Sequence, residues 1–262
     1  MSMFDRREMR NIKERAAQAA AAKQAPKWEY ASVANCPGNT PTSAKRNDFC
    51  VAAVVACKDN TPAEGQGPSA KLYRRALDAK GSPTGPWEQY GVTCFPQDAP
   101  GAPKRPVLTM AQILAAFHDT NFAKPTVNIQ PKGNVTLVRL PTYFELQWPT
   151  AGFQPGEVDH PDPARMLGYH VEIEPVLRSV EYVYGDGSTS GPTDSLGGPY
   201  PSGDVRKAYE RAGEFPVRAD VTYGGKFRVD GGQWIEIPGT VTIEGSSETL
   251  RVKTAHARLV TH

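Results

Sequence analysis

The chain has 262 residues, a formal net charge of +2 and a hydrophobic fraction of only 39%. Its 24 Gly and 24 Pro favour many short strands joined by loops over long helices. Residues 1–25 carry a net charge of +3, which leaves about −1 for the rest, so no broad basic face argues for a nucleic-acid partner.

Residues 1–26 set Arg6, Arg7, Arg10, Lys13, Arg15 and Lys23 against Asp5, Glu8 and Glu14, followed by an Ala-rich run from Ala16 to Ala22. Helix propensity is high there, but Phe4, Met9 and Ile12 offer little to bury, and an isolated helix of this length is marginal in water. The segment is expected to be a charged, solvated, partly helical tether ending at Pro26. No secretory h-region is read in it; the expectation is an extracytoplasmic protein with its signal or anchor absent from this chain.

Residues 27–125 form a small Cys-containing region. Trp28, Tyr30 and Val33, then Leu72 and Tyr73, then Trp87 through Phe95 supply short strand-like pieces between Gly/Pro-rich loops. The uncharged run Phe49–Cys57 is far shorter than the ~20 residues a membrane helix needs, and it reads as a buried strand. Cys36, Cys50, Cys57 and Cys94 lack the close pair of a zinc site, and their even number in one loop-rich segment fits a disulfide staple. In a strand Cys50 and Cys57 would stand ~23 Å apart at about 3.3 Å per residue, beyond the ~7 Å that a bridge allows. Two connectivities remain; Cys36–Cys50 with Cys57–Cys94 is preferred, since Val92–Phe95 looks like a strand beside 50–57. Four buried free thiols are the alternative. A helix near 109–118 is the clearest in the region: Thr109 caps it, and Met110, Ile113, Leu114 and Phe117 make one apolar stripe.

From residue 126 to 262 the hydrophobic period becomes two. Val127, Val135, Leu137 and Tyr143 through Trp148 begin the strands. Tyr169, Val171 and Ile173 alternate with His170, Glu172 and Glu174; Val217, Ala219, Val221 and Tyr223 alternate with Arg218, Asp220 and Thr222. Gly224-Gly225 reads as a hairpin turn into Lys226–Val229. Val241 and Ile243 form the next inward pair. Leu250 and Val252 point inward in the last strand, and the slip to Ala255, Ala257 and Leu259 predicts a bulge or bend near Thr254. At least seven one-faced strands predict a two-sheet sandwich.

Tyr182-Val183-Tyr184-Gly185-Asp186-Gly187, then Tyr209, then Gly213, Phe215 and Val217 resemble the signature of the PKD (polycystic kidney disease) domain, an immunoglobulin-like β-sandwich. That signature runs from an aromatic strand ending in Gly-Asp-Gly, through His-x-Tyr, to Gly-x-Tyr/Phe-x-Val. Two positions depart from it: Tyr182-Val183-Tyr184 replaces Trp-Asp-Phe, and Lys207 stands in place of the histidine. The layout, a short Cys-bearing region before a PKD-like half, also resembles envelope proteins of actinobacteria. The resemblance implies a mainly β fold: a PKD-like sandwich, a small disulfide-stapled N-terminal region and one short helix.

Chemistry-bearing clusters are sparse. His170, Glu172 and Glu174 share a strand face but sit ~7 Å apart, too wide for one ion without further ligands. His118-Asp119, and His160 with Asp159 and Asp162, lack a nucleophile in context. Asp186 reads as a turn stabiliser rather than a calcium ligand, and Asn134-Val135-Thr136 fits a glycosylation sequon by chance as easily as by design. No catalytic, cofactor or metal residue is assigned. The candidate partner contacts are Tyr200, in the long Ser188–Asp204 loop, and Trp234, because aromatics dominate binding hot spots. The expectation is a non-catalytic secreted or cell-envelope interaction protein, extracytoplasmic, contacting a protein partner in a surface assembly. The alternative is a carbohydrate-binding accessory contacting polysaccharide, which the PKD resemblance also implies; a hydrolase ranks last.

Overall fold

The computed structural model describes residues 3–22, 27–44, 50–102 and 107–255. Lys23, Pro26, Phe49, Ala257 and Leu259, which figure in the expectations above, lie outside them. Among the described residues the fold is mainly β, 40% strand and 14% helix. Two compact units form: Met1–Asp119 with His160–Ile173 and Lys226–Pro238, and Thr120–Asp159 with Glu174–Gly225 and Gly239–His262. Residues beyond 126 thus contribute to both units, and the boundary expected there does not separate them.

In the first unit, β1 (Met3–Phe4), β2 (Lys27–Ala34), β3 (Ala70–Leu77) and β4 (Glu88–Thr93) form one sheet in the order β1-β4-β3-β2. Phe4 pairs in parallel with Thr93 and lays its ring over Gly91, where a Cβ would stand 2.1 Å from the ring. Helix α1 (Arg6–Ala21) starts at a capping box: the Glu8 amide donates to Asp5 Oδ1 at 2.8 Å, and the Asp5 amide donates to Glu8 Oε2 at 2.9 Å. Met9 is fully buried in one cluster with Leu72 and Ala99, with Phe4 and Tyr90 packed against it. The N-terminal segment is thus helical and largely solvated as expected, but it is docked by a strand and a buried methionine. Its anchors Leu72 and Ala99 are remote in sequence, so its own composition hides the docking.

The run after Cys50 is helix α2 (Val51–Val55), not a strand. Ala52, Ala53 and Ala56 supply helix propensity that the valines mask. Disulfides join Cys36 to Cys50 and Cys57 to Cys94. The preferred pairing is present, although the extended geometry used to reach it is not. Helix α3 (Met110–Asp119) carries the expected stripe, with Met110, Ile113 and Phe117 buried. Thr109 Oγ1 accepts the Gln112 amide at 3.3 Å, and Gln112 Oε1 accepts the Thr109 amide at 3.0 Å, a second reciprocal cap.

The second unit contains β5 (Thr126–Gln130), β7 (Thr142–Gln147) and β10 (Arg206–Lys207), ordered β10-β7-β5. A six-stranded sheet orders β6 (Val135–Leu137), β13 (Glu248–Lys253), β11 (Gly213–Val229), β8 (Val171–Val183) and β9 (Thr189–Thr193), with β12 (Ile235–Ile243) also paired to β11. Val217, Ala219, Val221 and Tyr223 are fully buried, as their alternation requires. Phe144 meets Tyr184 at 5.2 Å, and the Tyr223 hydroxyl donates to the Ala123 carbonyl at 2.8 Å.

Gly224-Gly225 makes no turn, because β11 runs straight through it. Gly224 leaves room for a side chain: a Cβ there would stand 2.3 Å from Nε of Arg178 as it now lies. β13 ends at Lys253 with Leu250 and Val252 buried, so the strand stops where a bulge near Thr254 was expected. No helix among the described residues is long and apolar enough to cross a membrane.

Candidate functional site

The Gly-Asp-Gly turn follows β8. Gly185 has φ +77°, and a Cβ there would lie 2.6 Å from the Pro216 carbonyl oxygen, so only glycine fits. Asp186 Oδ1 accepts the Ser188 amide at 3.0 Å and its hydroxyl at 2.6 Å. Its other oxygen pairs with Lys207 at 2.9 Å, each side chain 20% exposed. Partial burial opposes ionisation of Asp186, but the Ser188 hydroxyl, the Lys207 ammonium and the Ser188 amide outweigh it and hold the carboxyl at about 2.

Lys207 also lies 5.3 Å from the Tyr184 ring centre and 5.5 Å from that of Tyr209. Tyr209 is buried, stacks on Phe215 at 4.7 Å, and donates its hydroxyl to the Tyr184 carbonyl at 3.0 Å. Burial pushes its phenol above the ordinary range. Both carboxylate oxygens of Asp186 are thus engaged within the fold, which makes the turn a structural knot. Lys207 is the residue that neutralises Asp186.

Tyr200 stands in a different setting. It is 70% exposed, its ring meets Tyr143 edge-on at 5.5 Å, and its amide donates to Gln130 Oε1 at 2.9 Å. With Asn128, Gln130, Pro131, Lys132, Leu140 and Pro141 the two tyrosines line a groove of about 640 Å³, within the usual range for ligand sites. The register explains the lining: Gln130 of β5 lies opposite Tyr143 of β7, and Asn128 opposite Glu145.

The loop that carries Tyr200 is pinned to β7. The Leu146 amide donates to the Leu196 carbonyl at 2.8 Å, and the Phe144 amide to the Val205 carbonyl at 3.0 Å. Gly197 permits this closeness, since a Cβ would meet the Phe144 carbonyl oxygen at 2.0 Å, and Gly203 lets the loop fold on itself, where a Cβ would meet the Gly198 carbonyl oxygen at 2.1 Å. Ser195 Oγ donates to Asp204 Oδ1 at 2.8 Å, and this bond holds the Asp204 carboxyl below its ordinary range.

Trp234 belongs to the first unit and is half-buried. Arg228 lies 4.7 Å and Lys226 5.3 Å from its ring centre, so its ring is already occupied by cations. Glu172 accepts from Arg228 Nε at 2.9 Å, and Asp230 accepts the His170 amide at 3.0 Å. Asp119 pairs with Arg165, Asp162 accepts the Ala164 amide at 2.9 Å, and Asp159 accepts the Thr120 hydroxyl at 3.0 Å. Thr136 of the sequon is buried and accepts the Thr142 hydroxyl at 3.0 Å. No group of three or more His, Cys, Asp or Glu able to hold a metal occurs among the described residues.

Sequence reasoning found Tyr200 but missed the groove around it. The available signal was Tyr143 preceded by Pro131 and Pro141, the second only two residues before it, in a turn-rich stretch leading into a strand. No protein-family model, curated protein or solved structure matches the chain.

Proposed function

We propose that the protein is a non-catalytic interaction protein of the secreted or cell-envelope compartment, whose PKD-like, immunoglobulin-like sandwich presents the Tyr200 groove to a protein partner in a surface assembly. The observation that carries this reading is a 70% exposed tyrosine in a loop tied to β7 and set against a second ring. A large aromatic held in place before binding loses little entropy when the partner arrives. Two disulfides fit an oxidising compartment.

The test is a photo-crosslinking residue substituted at Leu140, which lines the groove and is 42% exposed. In extracytoplasmic extract of the source cell it should give one discrete adduct that Tyr200→Ala diminishes. No adduct, together with a strictly monomeric purified protein, would sink the proposal.

A polysaccharide ligand is the second reading, supported by the exposed tyrosine beside the amides of Asn128 and Gln130. It expects oligosaccharide binding lost in Tyr200→Ala. Trp234→Ala should leave such binding intact, because Lys226 and Arg228 already cover that ring.

A further inference from the structure

We infer that the Tyr200 groove takes an extended, proline-containing segment of a partner protein, with a carboxylate beside its prolines that reaches Lys132. The inference rests on the protein-binding reading above and narrows it to one kind of peptide.

Three features point this way. The walls are two tyrosine rings, Pro131, Pro141 and the exposed Leu140. Flat rings and pyrrolidines pack well against the ridges of a polyproline II helix, which is already extended and loses little freedom on docking.

The hydrogen-bonding balance of the groove is the second. Asn128 Nδ2 already donates to Glu145 Oε2 at 3.0 Å, and Gln130 Oε1 already accepts the Tyr200 amide at 2.9 Å. The Tyr143 and Tyr200 hydroxyls and the Lys132 ammonium have no partner among the described residues. The Lys132 ammonium, with three donors and no acceptor, tips what faces a ligand toward donors. A proline segment offers carbonyl acceptors and lacks N–H groups at its prolines. A sugar ring offers hydroxyls that need acceptors as well, so it is matched less well.

The third is charge. Lys132 is the one ionised side chain in the lining, and a carboxylate on the ligand complements it.

The experiment titrates the intact, oxidised protein with the synthetic peptide Pro-Pro-Glu-Pro-Pro-Pro, its Glu→Lys counterpart, a Gly/Ser peptide carrying the same Glu, and cello- and chito-oligosaccharides, followed by NMR. The glutamate peptide should bind saturably, with shifts at Tyr143, Tyr200 and Lys132, while the Gly/Ser peptide should not. Tyr200→Ala should weaken binding by about tenfold or more. Lys132→Glu should reverse the preference toward the lysine peptide; both side chains line an open groove, and retained CD spectra show that the variants fold. An unchanged preference in Lys132→Glu, or no saturable binding of the proline peptide, overturns the inference. If the peptide fails while the Leu140 crosslink still depends on Tyr200, the interaction reading stands and the peptide class falls. If both fail, both readings fall, and saturation of the groove by an oligosaccharide overturns the inference in favour of a glycan.

Discussion

Replacing Lys207 with methionine removes the cation from the Gly-Asp-Gly turn while keeping most of the side-chain volume. Asp186 and Lys207 are 2.9 Å apart with each side chain 20% exposed. At an effective dielectric of about 20 the gross attraction is about 6 kcal/mol, most of it offset by desolvation. The carboxyl gives a better measure of the net. A fall from 3.8 to about 2 corresponds to about 2 kcal/mol of linkage. Ser188 shares in that fall, so Lys207 accounts for about 1 kcal/mol of it, and its contacts with Tyr184 and Tyr209 add about 0.5–1 kcal/mol. Lys207→Met should therefore cost about 2 kcal/mol near neutral pH, or about 4–8 °C in Tm for a protein of this size.

The pH dependence discriminates this account from a simple packing loss. Because the folded-state value lies below the unfolded one, the stabilisation from Asp186 is complete above the unfolded value near 3.8 and is lost as pH falls toward about 2. The difference between wild type and Lys207→Met should shrink across that window, leaving only the ring contacts at its acid end. Urea denaturation at pH 7 and near pH 2, in a double-mutant cycle with Asp186→Asn, measures the coupling directly. A penalty of equal size at both pH values, or a coupling below about 0.3 kcal/mol, would refute the reasoning.

Two further predictions concern the first unit. Cys57→Ser/Cys94→Ser removes a bridge spanning 37 positions and Cys36→Ser/Cys50→Ser one spanning 14, for losses of about 4 and about 3 kcal/mol from chain entropy; thermal unfolding should rank them in that order, and the reverse order would count against it. Met9→Ala should cost about 2–5 kcal/mol and expose α1 to limited proteolysis, whereas a solvated tether would register no change in either measurement.

What the sequence made legible followed from period and chemistry within short windows. The alternation Val217, Ala219, Val221, Tyr223 specifies a strand because one face is buried along its length. The stripe on α3 and its Thr109 cap are equally local. Failures came where the deciding partner was distant. Gly224-Gly225 has the composition of a turn, yet an extended strand runs through it and Gly224 makes room for Arg178. The Val/Ala mixture at 51–56 has no clear period, and the helix propensity of its alanines outweighs the strand preference of its valines. Of the candidate contacts, Tyr200 was legible as an aromatic in a Gly/Pro-rich loop. Trp234 was not legible as a covered ring, since Arg228 and Lys226 reach it by strand geometry that composition does not reveal.

The turn and the groove are also mechanically connected. Asp186 stands just before the segment that carries β9 and Tyr200, and Lys207 stands just after it. Their ion pair therefore fixes the two ends of that segment against each other, and the Ser195–Asp204 bond closes a shorter loop inside it. Closing a loop's ends before a ligand arrives removes an entropic cost that binding would otherwise meet. The Phe144 and Leu146 amides then hold the same segment to β7, placing Tyr200 over Tyr143. In this arrangement Gly-Asp-Gly need not touch a ligand to matter for recognition. On the proposed reading its contribution is to hold the exposed ring still, consistent with an Asp186 carboxylate satisfied by Ser188 and Lys207 and a Tyr200 ring left open.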